Sequence, residues 1–139
     1  WMSDRRKTIE KVNHYIEGIR RGQLRLDQVV MNLVSDKRLL DVATVIAGAG
    51  ALDREVAYNI LTQSETEHVA VLLKSLGMSW DAASAFLRLR VVKLGEGICG
   101  PMLLQSDYEL IDQMAAQRVM RFLKVRYAAM AGGPETSAA

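Results

Sequence analysis

The chain has 139 residues, half of them apolar and 24% charged, with a formal net charge of +2. That describes one domain of ordinary size, long enough to bury a core without metals or disulfides, and neither disordered nor fibrous in composition. The single cysteine, Cys99, excludes an internal disulfide and a thiolate zinc cluster. No apolar run approaches the ~20 residues of a membrane span. WMSDRRKTIEK lacks the apolar stretch of a secretory leader. A reducing cytoplasm is the expected setting, and the near-balanced charge leaves any claim on nucleic acid to local patterning.

The apolar spacing is helical along most of the chain. In SDRRKTIEKVNHYIEGIRRG, Ile9, Val12, Ile16 and Ile19 share one face, Ser3 is placed to cap the start and Gly22 to stop it. LDQVVMNLVS follows with Leu26, Val29, Val30, Leu33 and Val34. SDKRLLDVATVIAGAG then turns Leu39, Leu40, Ala43, Ile46 and Ala47 inward, until Gly48 and Gly50 break the pattern. LDREVAYNILTQ restarts with Asp53 as the expected N-cap. Ser64 to Glu67 is a capping box ahead of Val69, Leu72, Leu73 and Leu76, with Gly77 as the stop.

Ser79 opens WDAASAFLRLRVVKLG. Its end, LRLRVVKL, alternates like a strand, but Ala83, Phe86, Leu87, Val91 and Leu94 give a continuous helical face, so helix is the expectation. S-D-Y-E at 106–109 reads as a second capping box, opening a long helix from Asp107 to Met130. On it Leu110, Ile111, Met114, Ala115, Phe122 and Leu123 form an apolar band expected to close the core, with the stem of Arg118 lying along it. The tail 132–139 is expected to be disordered. The sum is one all-α domain over residues 3–131, with about seven helices.

A shift of 28 residues pairs Val45 with Leu73, Leu52 with Trp80, Asp53 with Asp81, Ala57 with Ala85 and Leu61 with Leu89. A repeated two-helix unit is the signature of HEAT-like stacking, here closed by the long C-terminal helix. Over GQLRLDQVVMNLVSDKRLLDVATVIAGAGALDREVAYNIL, and again at AAQRVMRFLKVRY, the chain resembles the C-terminal part of a bacterial helical family catalogued as domain of unknown function 2336. The likeness spans about residues 15–127 and is weakest at GEGICGPMLLQSDYE. It implies an α-helical, HEAT-like module and carries no activity with it.

Five features carry candidate chemistry. GEGICG at 95–100 has the G-x-G-x-x-G spacing of a dinucleotide fingerprint. That motif needs a strand before it, a βαβ unit around it and an acid near position 120, where Val119, Met120, Arg121 and Phe122 stand instead. It reads as an inter-helix loop, and no cofactor is expected. Glu65-Thr66-Glu67-His68 contains half of a di-iron ligand set, and the second Glu-x-x-His is missing, so no metal is expected. Neither His14 nor His68 has the lysine-glycine context of a phosphotransfer domain. Cys99, between Ile98 and Gly100, reads as a half-buried inert thiol.

The basic residues are the fifth feature. Arg118, Arg121, Lys124 and Arg126 follow one another with no acid between Gln113 and Pro134. Cations belong near a helix C-terminus, which accounts for most of that run. Arg5, Arg6 and Lys7 crowd a helix N-terminus, where the dipole disfavours them, and an anionic partner would explain them. The expected function is a non-enzymatic helical module of a bacterial regulatory protein, binding another protein or a second copy of itself. A nucleic-acid or anion-binding domain built on Arg5, Arg6, Lys7 and the 118–126 run is the alternative.

Overall fold

The computed structural model describes residues 2–62 and 65–138, with the side chains of 2–4, 128 and 130–138 outside that description. Among the described residues every regular element is helical: α1 (Met2–Arg20), α2 (Leu26–Ser35), α3 (Leu39–Ala49), α4 (Arg54–Leu61), α5 (Thr66–Ser75), α6 (Trp80–Leu94), α7 (Glu96–Cys99), α8 (Gln105–Glu109) and α9 (Gln113–Ala138). The strand-like LRLRVVKL lies within α6, where Ala83, Phe86 and Leu87 are buried at helical spacing. The tail expected to be disordered and the expected cap Ser3 both fall outside the described side chains.

Four turns share one construction. At the ends of α1, α2, α3 and α5 the backbone enters the left-handed region at Gly22, Lys37, Ala51 and Gly77. The next N–H then reaches back along the helix: Gln23 to the carbonyl of Gly18 (2.8 Å), Arg38 to Leu33 (3.1 Å), Leu52 to Ala47 (2.8 Å) and Met78 to Leu73 (3.2 Å). Each turn thereby satisfies a carbonyl that the helix end would otherwise leave open. Gly22 and Gly77 were legible as stops. At the third turn the left-handed residue is Ala51 and not Gly48 or Gly50. Gly48 serves helix packing instead, because a Cβ there would lie 2.7 Å from Cγ2 of Ile16, and its absence lets α1 pack closely on α3.

The helix starts follow the sequence in two places. Asp53 caps α4, its Oδ1 accepting from the Glu55 N–H at 2.9 Å. Ser79 caps α6, its Oγ accepting from the Ala82 N–H at 3.3 Å. Ser79 also donates its own N–H to both carboxylate oxygens of Asp27, which ties the start of α6 to the start of α2. The capping box expected at Ser64 lies partly outside the described residues. The helix there begins at Thr66 behind Glu65, which makes no side-chain cap bond.

α3 is the centre of the packing. It meets α1, α2, α4 and α6, and its Val42, Val45 and Ile46 are fully buried. α2 lies on α6, while α5 packs against α4 and, most extensively, α9. Val45 and Leu73, Ala57 and Ala85, and Leu61 and Leu89 are all buried, as the 28-residue pattern requires. The sequential α3–α4 pair is the hairpin that pattern describes. In the second copy α5 has α9 as its main partner and α6 has α2, so the shared pattern records a common burial rhythm rather than two equivalent hairpins. In α1 to α6, two residues expected inside are exposed: Ile9 at 53% and Leu40 at 55%.

The expected helix from Asp107 to Met130 is broken. Ser106 does not cap it but lies inside the short α8, and α9 starts afresh at Gln113, where the Oδ2 of Asp112 accepts from the Ala115 N–H at 2.9 Å. The break follows from Tyr108. Its ring is buried beside Trp80 (centroids 5.6 Å apart) and its hydroxyl donates to the carbonyl of Met78 at 2.6 Å. Lys74 lies over the same ring, 4.9 Å from its centroid. α8 is pinned to the α5–α6 turn by these contacts, and the chain must bend at Leu110–Asp112 to bring α9 onto α5.

Candidate functional site

α9 has two apolar faces. Ala116, Met120 and Leu123 are buried and Tyr127 is partly buried against the core, at the spacing of one helical stripe. That stripe lies on α5 and α4. On the opposite side Met114 (67%), Phe122 (65%) and Val125 (71%) are exposed, continuing the exposed Leu110 (83%) at the bend. The expected core band therefore divides. Leu123 is core as anticipated and Ile111 and Ala115 are partly buried, whereas Leu110, Met114 and Phe122 belong to the outer face. The break at Leu110–Asp112 separates Leu110 from α9, and within α9 both faces are apolar, so the band straddles the packed stripe and the exposed one.

The basic run 118–126 is distributed around this helix. Arg118 stands within the outer apolar stripe, a position consistent with its expected aliphatic role but on solvent rather than core. Arg121 and Lys124 rim a groove of about 400 Å³ with Gln117 and Met120, facing the ends of α3 and α5. Gln117 Nε2 donates to the carbonyl of Ser75 across that groove at 3.3 Å. Arg126 is exposed near the end of the described side chains. None of these four cations forms an ion pair among the described residues.

Arg5, Arg6 and Lys7 sit elsewhere, exposed on the first turns of α1. Arg5 lines a groove of about 620 Å³ that runs from α1 over the N-terminal turns of α3 and α4. Arg38 and Arg54 line it too. Arg38 is hydrogen-bonded to Asp41. Lys7 faces an adjoining groove, and Arg6 lines neither of these two. The two basic groups picked out in the sequence thus lie on two separate surfaces.

GEGICG follows a helix, α6, and not a strand, so the geometry that presents a pyrophosphate to a helix N-terminus is missing. It is also not simply a loop, because Glu96–Cys99 forms one helical turn packed on α6. Cys99 is 2% exposed, more deeply buried than expected, and its carbonyl accepts from the Thr66 hydroxyl at 2.9 Å. His68 Nε2 lies 3.5 Å from Glu65, an i,i+3 neighbour at the start of α5, and His14 is exposed on α1. Among the described residues no three His, Cys, Asp or Glu side chains gather in a way that would hold a metal ion.

One residue escaped the sequence reading. Arg90 is 1% exposed, and its Nε donates to the carbonyl of Leu61, the last residue of α4, at 2.7 Å. A cation there meets the negative end of α4 and one of its open carbonyls. Burial pulls the guanidinium below its ordinary pKa, and the nearby Cys99 thiol opposes that shift. Nη2 has no partner. Nothing within LRLR signals this role, because only the fold brings Leu61 to it.

No helix among the described residues is long and apolar enough to cross a membrane. No curated protein and no solved structure matches the chain significantly. A family model described as "Uncharacterised protein conserved in bacteria (DUF2336)" matches residues 3–124, which span the fold from α1 through Leu123 of the inner stripe of α9. The chain belongs to the DUF2336 family.

Proposed function

We propose that this domain is a non-enzymatic docking module whose binding element is the outer face of α9. The observation that carries the reading is the pair of opposed apolar stripes on that helix. One is consumed by packing on α4 and α5, and the other leaves Met114, Phe122 and Val125 in solvent. Isolated exposed apolar residues need no explanation, but an aligned set along one helix marks an interaction surface.

The charge around the stripe narrows the occupant. Arg118 interrupts it, Arg126 lies beside it, Arg121 and Lys124 rim the adjoining groove, and no acid occurs between Asp112 and Glu135. A second α9 would bring the same four cations against these, and like charges oppose that pairing. The occupant that fits is an amphipathic helix of another protein, with apolar anchors at i, i+3, i+4 and i+7 and acidic flanks.

Photo-crosslinking tests this directly. A benzophenone side chain at Phe122 should capture one protein through an acidic, amphipathic segment, and the same group at exposed Arg88 should not. The adduct should survive nuclease and disappear on Val125→Asp, with the circular dichroism unchanged. Capture of a second copy of this chain, of nucleic acid, or of nothing would refute the reading.

A further inference from the structure

The groove beneath Arg5 is continuous with three neighbours, because Arg38 and Asp41, or Leu40 and Arg54, line more than one of them. Together they form a track from α1 across the N-terminal turn of α3 to Tyr58 and Lys93. Arg5, Lys7 and Lys11 border it from α1. Lys37 and Arg38 enter from the α2–α3 turn, Arg54 from α4 and Lys93 from α6. The acids on it are Asp36, Asp41 and Glu55. Seven of the chain's eighteen cations but three of its sixteen acids therefore line this one track, on a protein whose overall charge is +2.

Among the described residues only Arg38 of these seven is ion-paired, to Asp41. The floor of the track is apolar: Ile9 (53% exposed), Leu40 (55%) and Tyr58 (42%) lie on it with buried Val12. These include Ile9 and Leu40, which the sequence assigned to the core. Their exposure and the misplaced cations at the start of α1 have one common explanation.

We propose that this track binds an acidic peptide segment with interspersed apolar side chains, supplied by a partner protein. Charge complementarity selects a polyanion, and the elongated shape selects a chain over a compact ligand. The floor selects peptide over nucleic acid. Single-stranded nucleic acid is held by aromatic platforms under its bases, and this floor offers aliphatic Ile9 and Leu40 with one tyrosine. The three acids would also oppose an unbroken row of phosphates, whereas a peptide can place an amide or a lysine beside them. This site is independent of the α9 surface, and either proposal can fail alone.

The test is fluorescence anisotropy with a labelled peptide of Glu, Leu and Ser, against its Gln-for-Glu counterpart and a single-stranded oligodeoxythymidine. Wild-type protein should bind the acidic peptide at least tenfold more tightly than the neutral one. Arg5→Glu combined with Arg54→Glu should weaken it at least tenfold, and Leu40→Ser should weaken it at constant charge. Arg88→Glu, exposed on α6 and on neither surface, should leave it unchanged. Circular dichroism and melting of each variant separate loss of binding from loss of fold. Three outcomes would overturn the proposal: equal affinity for the two peptides, tighter binding of the oligonucleotide, or loss of binding in Arg121→Glu on α9 with the groove variants unaffected.

Discussion

Tyr108 is the anchor that breaks the terminal helix, and Tyr108→Phe isolates its hydroxyl. The ring and its contact with Trp80 remain, while the buried 2.6 Å bond to the carbonyl of Met78 is lost. A typical intramolecular hydrogen bond contributes about 0.5–1.5 kcal/mol net, and a buried acceptor left unpaired costs about 1–3 kcal/mol. The variant should therefore lose about 2 kcal/mol, read as a fall in urea midpoint without a change in slope. Burial raises the Tyr108 phenol well above its ordinary pKa, and nearby Asp27 adds to the shift. A raised folded-state pKa gives stability that is complete below the unfolded value of about 10 and is lost as pH climbs above it. Wild-type stability should accordingly fall more steeply than that of Tyr108→Phe above about pH 10, the unfolded-state value. A variant as stable as wild type, with an identical alkaline profile, would refute the claim that this hydroxyl pins α8.

Three further outcomes test the fold. Lys37→Gly and Ala51→Gly should each stabilise by up to about 1 kcal/mol in chemical denaturation, because both residues hold left-handed backbone that costs a side chain roughly that much. Gly48→Ala should destabilise by about 1–3 kcal/mol, since the new methyl meets Ile16 where α1 packs on α3. Arg90→Met keeps most of the packed stem and removes the charged bond to the Leu61 carbonyl, so it should cost about 1.5–3 kcal/mol and raise amide exchange at the end of α4.

What the sequence could reveal was local, and what it concealed was long-range. Asp53, Ser79, Gly22 and Gly77 act within a few residues of themselves, and their roles as caps and stops follow from side-chain chemistry alone. Lys37 and Ala51 make the same turn without a glycine to announce it. The break before α9 depends on Tyr108 reaching a carbonyl 30 residues back, which no window along the chain contains. Arg90 depends on Leu61 in the same way, 29 residues distant.

The two proposed interaction surfaces are half legible in the sequence. Arg5 and Lys7 stand out because they sit badly at a helix start, yet Arg38, Arg54 and Lys93, which share their track, are unremarkable in their local sequence. In α9 the inner and outer faces are both apolar. Periodicity does not choose which stripe packs, so it places both Phe122 and Leu123 in the core band, whereas only Leu123 is buried.

That adjacent pair gives the most direct test of the central claim, that α9 buries one apolar stripe and holds the other free. Urea unfolding of Phe122→Ala and Leu123→Ala should separate them sharply. Leu123 is 3% exposed and its truncation should cost about 2–5 kcal/mol. Phe122 is 65% exposed, and its truncation should stay within about 0.5 kcal/mol of wild type. A loss of about 3 kcal/mol or more in Phe122→Ala, with Leu123→Ala near neutral, would mean that the stripes are reversed and that α9 offers no docking face.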